Sequence, residues 1–308
     1  MSDTVTLPGG GGLQYVIPAG ADARKALADA IKSEFQAAGK NITMNVVNSG
    51  AAGKAGFFDA VLEASGSADA LVAGKGVQAI FDLGTGSDTL IGGSSTSLIY
   101  ANAESTDGDS ISATGNTTVF GTAGNDTLSV INGTATAYLG GGNDVVKLAG
   151  SNDTVTIAGK GLASVVGSGA ASTVHLGSGA TTVTAGSGNM SVIGGTGSIN
   201  FTHGLHGDDT VTILKNQGID TLSGALGDNS GSDLFDISVK AGGKYVINAF
   251  SSTADTIKIG GASQKDIVKA LKSAHTVKSG GNIVTTLTIG HDHITVIGGA
   301  VTAKNFTS

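Results

Sequence analysis

The chain contains no cysteine and no tryptophan, and only two prolines in 308 residues. Without cysteine there is no disulfide framework and no thiol chemistry. Lysine and arginine total 17 against 24 aspartate and glutamate, a formal net charge of -7, so the basic footprint that nucleic-acid binding needs is missing. No apolar run approaches the roughly 18 residues of a membrane-spanning helix, and no membrane span is expected. The opening residues, MSDTVTLPGGGG, lack a basic segment followed by an apolar one, so no cleavable secretory leader is expected either. Aromatic residues make up 4% of the chain, and its apolar character comes from Ala, Val, Ile and Leu. Thin layers of small aliphatics suit a solenoid, whereas a thick globular core uses more aromatic volume.

What the chain has instead is glycine, 51 residues of it, and a regular apolar step. Leu128, Ala137, Val146 and Val155 are nine residues apart; after a one-residue slip in residues 160–164 the phase resumes at Val165, Val174, Val183, Val192 and Phe201. A second one-residue slip brings it to Val211. Glycines keep a nine-residue step of their own at Gly177, Gly186, Gly195 and Gly204, where backbone turns through conformations penalised by a Cβ are expected. A helix with this glycine content would lose about 1 kcal/mol per glycine. Short strands joined by tight turns remain, with two half-coils to each coil. The fold class is therefore mainly β, a parallel β-roll or β-solenoid.

Aspartates mark four of the turns, in GTGSDTL, GTAGNDTL, GGGNDVV and SNDTV. Turns eighteen residues apart stack on one side, and Asp126 and Asp144 have that separation, so an oxygen-seeking cation between them is the best metal site the sequence offers. Asp153 lies on the opposite edge with poorer partners, near Ala135 and residues 160–163. Asp88 has the local motif, but Ser97 stands where its partner Asp is expected, which leaves a half-built site. Asp208 and Asp209 restart the pattern, making Asp209 a further candidate ligand. Residues 159–205 contain no Asp or Glu, so those turns must hold without a carboxylate-bound metal.

Three regions are expected. Residues 1–80 read as a small α+β cap or assembly domain, with an amphipathic helix over 21–38 carrying Leu27, Ile31 and Phe35, and strands near 42–47, 57–63 and 77–83. Residues 81–213 form the solenoid, interrupted by an irregular section whose acidic patch, Glu104, Asp107 and Asp109, reads first as a solvated loop and second as a calcium site. Residues 214–308 read as a terminal cap of strands, a helix capped by Ser263, and a closing hairpin, which a solenoid needs because its last coil presents a free edge.

The units GTGSDTL, GTAGNDTL and GGGNDVV resemble the repeats-in-toxin nonapeptide family, and the tail from GSDLFDISV to VIGGAVTAKNF is similar to the region that follows the repeats in those proteins. The resemblance implies calcium binding outside the cell and export through a type I system, directed by an uncleaved signal in residues 214–308. The carboxylate-free middle departs from the family's pattern.

No H-E-x-x-H and no G-x-S-x-G occurs, and no enzyme is expected. His203, His206 and Asp209 could approach a transition metal, but no third strong ligand has suitable spacing, so the histidines read as turn residues. His291 and His293 read as surface residues of a hairpin. The leading functional expectation is a secreted, calcium-stabilised structural protein that assembles with itself, head to tail, into a bacterial surface lattice or a biofilm filament. The alternatives are a monomeric adhesin holding cell-surface polysaccharide, which needs exposed aromatics such as Tyr100 and Tyr138, and, more distantly, an ice-binding protein. The outward Thr pairs required for ice are interrupted at Val145/Lys147, Thr173/His175 and Ser191/Ile193.

Overall fold

The computed structural model describes residues 4–6, 14–16, 43–47, 52–54, 59–64, 69–73, 76–82, 84–102, 105–214, 218–224, 231–237 and 242–308. The helix expected over 21–38 lies outside the described residues, as does Glu104. The chain divides into two compact units, Met1–Gly140 and Gly141–Ser308. Each is a parallel β-solenoid of coils that alternate between two facing sheets.

In the first unit the inward columns are Leu71, Leu90, Ile111 and Leu128 on one sheet and Ile80, Ile99, Val119 and Ala137 on the other, each residue registered on the next. All are buried. Strand alternation sends the next residue outward, yet Phe81, Tyr100 and Phe120 are buried too. They stack one per coil with Tyr138, with ring centroids 6.3, 6.2 and 5.3 Å apart. An in-register parallel sheet places identical positions one strand spacing apart, and aromatics gain most from that stacking.

Parallel pairing begins well before residue 81. Thr43–Val47, Asp59–Ala64 and Ala79–Asp82 are neighbours in one sheet, and Ala52–Lys54, Ala70–Val72 and Thr89–Ile91 in the other. The strands read as part of a separate α+β domain are thus rungs of the solenoid, and the expected boundary at 80/81 falls inside continuous ladders. Of these early coils, Ala70–Val72 keeps the Gly–Asp turn signature, in GSADAL at Asp69, that the sequence analysis passed over.

In the second unit the columns run Val146, Val165, Val183, Phe201, Leu222, Ile247 and Val296 on one sheet. On the other they run Val155, Val174, Val192, Val211, Phe235, Ile257 and Phe306. The apolar ladder of the sequence is this double column, one half-coil to each sheet, and the one-residue slips are longer turns. The stack continues past residue 214 through Ile219–Ser223, Leu234–Ile237, Lys244–Phe250 and Thr256–Ile259. The cap proper begins at Ser263, whose side chain accepts from the Asp266 N–H while the Asp266 carboxylate accepts from the Ser263 N–H, starting the Gln264–Lys272 helix. A strand the sequence did not signal, His275–Ser279, pairs antiparallel with Asn282–Ile289, which pairs antiparallel with Asp292–Gly298. Asp292–Gly298 lies parallel to Lys244–Phe250 and so forms part of a last coil.

The glycine row has a different cause from the one expected. Gly177, Gly186, Gly195 and Gly204 do not have positive φ. A Cβ on each would instead strike backbone of the coil before: Gly159 O for Gly177, Ser168 O for Gly186, Gly177 O for Gly195 and Gly186 O for Gly204. Glycine is required here because neighbouring turns touch. These carboxylate-free turns stack through backbone hydrogen bonds, such as Ser178 N–H to Gly159 O (3.0 Å) and Thr196 N–H to Gly177 O (3.2 Å). No helix among the described residues is long and apolar enough to cross a membrane.

Candidate metal centres at the coil corners

Eleven buried aspartates, Asp69, Asp88, Asp109, Asp126, Asp144, Asp153, Asp209, Asp220, Asp233, Asp255 and Asp292, stand two residues before an inward apolar side chain, in the pattern Asp-x-apolar. The hydrogen bonds explain the spacing. Asp109 Oδ1 accepts from the Asp88 N–H (2.8 Å), Asp126 Oδ1 from the Asp109 N–H (3.0 Å), and Asp88 Oδ1 from the Asp69 N–H. In the second unit Asp209, Asp233 and Asp255 do the same toward Met190, Asp209 and Asp233, at 2.8, 3.1 and 3.1 Å. Each carboxylate extends the sheet's hydrogen-bond ladder one step past the strand, where a bare N–H would otherwise be buried. One oxygen is committed to structure; the fate of the second separates the corners.

At Asp126 the second oxygen is also committed. Its Oδ2 accepts from the Thr122 N–H and its Oδ1 from the Thr122 hydroxyl, both at 2.8 Å. The turn from Thr122 to Asp126 is braced by its own side chains, and Asp255 closes its turn in the same way on the Ser251 N–H (2.8 Å). Asp126 and Asp144, paired in the sequence reading, belong to different units. In its own unit Asp144 is registered on Ala163, while Asp153 is registered on Ser172, which is followed by Met190. None of these register partners carries a carboxylate.

The first unit's open corner is built around Asp88. Asp82, Asp88 and Asp109 are 1%, 1% and 2% exposed, and carboxylate oxygens of all three lie within 4.8 Å of one another. Asp82 turns one oxygen to the Gly84 N–H (2.7 Å). The Oδ2 atoms of Asp82, Asp88 and Asp109 are all covered and have no hydrogen-bond partner. Burial, reinforced by neighbouring carboxylates, pushes Asp109 up to about 8 and Asp82 up to about 7, and Asp88 is raised for the same first reason. Three buried like-charged groups with free lone pairs form an oxygen cage of the kind a hard divalent cation relieves. Asp88 finds its partners at Asp82 and Asp109 rather than at Ser97, because the coil from Asp88 to Asp109 takes 21 residues instead of 18. Of the acidic patch, Asp107 is exposed and Asp109 is buried.

The second unit's open corner is centred on His203. Its Nδ1 lies 3.0 Å from Asp209 Oδ2 and 3.0 Å from Asp233 Oδ1, with the imidazole fully covered. The sequence marks His203 as a turn residue and offers no third ligand of suitable spacing. Asp233 supplies it from one coil on, 24 residues beyond Asp209. The Asp-x-apolar signal marks Asp233, Asp109 and Asp220 equally well, and nothing marks Asp82 except its place at a strand end. His291 and His293 are exposed as expected, but Asp292 between them is buried and accepts from the Gly243 N–H (3.0 Å).

Asp220 shows the cost of an unmatched corner. Its Oδ1 accepts from the Ile199 N–H (2.8 Å), its Oδ2 is buried without a partner, and burial pushes its pKa up to about 6. A folded-state pKa above the unfolded 3.8 means that the favourable contribution is complete below about 3.8 and is lost as pH rises through about 6. Asp220→Asn is expected to flatten stability across that window. It should exceed wild type at pH 8 by about 1–3 kcal/mol, as measured by urea unfolding at a series of pH values.

Compared with family models, with curated proteins and with solved structures, the chain matches none.

Proposed function

We propose that the protein is a calcium-stabilised, exported structural protein that assembles with itself outside the cell, and that it is not an enzyme. The observation carrying the calcium reading is the first unit's open corner, where Asp82, Asp88 and Asp109 present three covered oxygens without partners. Those residues would hold the ion, which supplies positive charge and ties two consecutive coils and a strand end together. The repeats-in-toxin resemblance points the same way: the chain folds on meeting millimolar calcium after leaving the cell through a type I system.

Self-assembly is supported by the strand at the margin of the cap. His275–Ser279 is exposed at all five positions and pairs with Asn282–Ile289 on one side. Val277 is 41% exposed there. Such an edge offers unpaired backbone groups to another chain, which is how lattices and filaments propagate. For the polysaccharide-binding alternative, Tyr100 is buried in the aromatic stack, while Tyr138, stacked on Phe120, is 43% exposed. In the second unit the outward row reads Thr154, Thr173, Ser191, Thr210 and Leu234 beside Thr156, His175, Ile193, Thr212 and Asp236, too mixed for an ice-matching array.

Negative-stain electron microscopy and light scattering, with millimolar calcium and after chelation, test the reading. Ordered polymers in calcium are expected, and Val277→Lys should raise the concentration needed for assembly about tenfold or more while leaving the melting temperature unchanged. Monomers under both conditions would overturn it.

A further inference from the structure

We propose that His203, Asp209 and Asp233 form a second, chemically distinct metal site in the other unit, built for a divalent transition metal with zinc as the fitting ion. The first argument is composition. An imidazole nitrogen with two carboxylates suits zinc and is a poor set for calcium, which takes oxygen ligands only. Two carboxylates and a neutral imidazole also balance a divalent charge, an important condition where the side chains are 0%, 0% and 2% exposed.

The second argument is that hydrogen bonding leaves the cluster unsatisfied. His203 Nδ1 carries at most one hydrogen, yet two carboxylate oxygens stand 3.0 Å from it. Asp233 Oδ1 already accepts the Asp209 N–H (3.1 Å), and Asp209 Oδ2 has no hydrogen bond. Protonating the ring as imidazolium still leaves one hydrogen at Nδ1 for two carboxylate oxygens. A metal on the Nδ1 lone pair draws both oxygens in and leaves the ring neutral. Zinc bond lengths near 2.0 Å place tetrahedral ligand atoms about 3.3 Å apart, so the two imidazole–carboxylate edges, now 3.0 Å, open by only about 0.3 Å.

The third argument is position. Ala185 occupies the place of His203 one coil earlier, and Gly224 occupies it one coil later, each following the strand residue registered on Thr202. A Cβ at Gly224 would lie 2.9 Å from Asp255 Oδ2 and 3.2 Å from Asp233 Oδ2. The corner thus keeps room for carboxylates, and a ligating side chain enters it at one coil. Since Ala185 fills the equivalent place, His203→Ala is compatible with the coil.

Because the ligands are covered, the metal is supplied during refolding. Full-length protein is unfolded, stripped of metal, refolded with zinc chloride and excess calcium, and freed of unbound ions by gel filtration before elemental analysis. About one zinc per chain is expected for wild type despite the calcium, and affinity at least about 100-fold weaker in His203→Ala and Asp233→Asn. Refolding with cobalt should give the intense visible absorption of a tetrahedral nitrogen–oxygen site in wild type alone. Circular dichroism confirms that each variant is folded, and Asp233→Asn keeps the acceptor for the Asp209 N–H. Wild type without zinc, or zinc retained in folded His203→Ala, overturns the proposal. Asp82→Asn and Asp109→Asn leave zinc content unchanged, so this outcome is separate from the calcium reading of the first unit.

Discussion

Asp82→Asn combined with Asp109→Asn is expected to invert its stability order relative to wild type when calcium is removed. In the metal-free protein three covered carboxylates face one another with free Oδ2 atoms, so repulsion and lost hydration both oppose folding. Replacing two by amides removes charge and keeps the Oδ1 acceptors that bond the Gly84 and Asp88 N–H groups. The variant should then be the more stable protein under chelation. Calcium reverses the order, because an ion that binds only the folded state adds about 2.7 kcal/mol at a hundredfold excess over its dissociation constant and about 4.1 kcal/mol at a thousandfold. Thermal unfolding of both proteins, with chelator and with a calcium series, reads the crossing directly. A wild type indifferent to calcium, or a variant that responds as strongly as wild type, sinks the cage at this corner.

Gly195→Ala should be among the most damaging single-methyl additions in the chain. The new Cβ would meet Gly177 O and Leu176 O, backbone atoms of the preceding coil that are held in the ladder and cannot swing aside. Two coils must part, breaking contacts on both sides of the turn, and a loss of about 3 kcal/mol is expected. Gly169→Ala provides the control within the same unit. Its Cβ would meet only the Ser187 side-chain oxygen at 3.6 Å, ordinary contact, and its φ is not positive. That change should be neutral or stabilising by up to about 1 kcal/mol, through the unfolded chain. Urea denaturation of the two variants should therefore separate them widely, and equal effects would mean that conformational preference rather than close approach governs the glycine row.

The solenoid and its inward columns were legible in sequence because a coil demands an apolar residue at a fixed phase in each half-turn. The steps through Val146, Val165, Val183 and Phe201 and through Val155, Val174, Val192 and Val211 record that demand one coil at a time. The helix start at Ser263 was legible for a similarly local reason: its capping groups are three residues apart. The aspartate pattern was legible only in part. Reading it through turns eighteen residues apart favoured Asp126, whose oxygens are taken by Thr122 and the Asp109 N–H, over Asp109 and Asp233, which stand 21 and 24 residues from Asp88 and Asp209.

The partners of each carboxylate were decided by tertiary structure alone. Asp88 and Asp109 are 21 residues apart and Asp209 and Asp233 are 24, against 18 in a regular coil such as Val183 to Phe201, and a lengthened coil changes which side chains meet at a corner without disturbing the columns on either side. Asp82 reaches Asp109, and His203 reaches Asp233, by that route. Periodicity specifies what repeats, namely the buried apolar rungs and the Asp-x-apolar strand starts. The chemistry sits where the repeat is broken, and there the three-dimensional path of the chain sets the outcome.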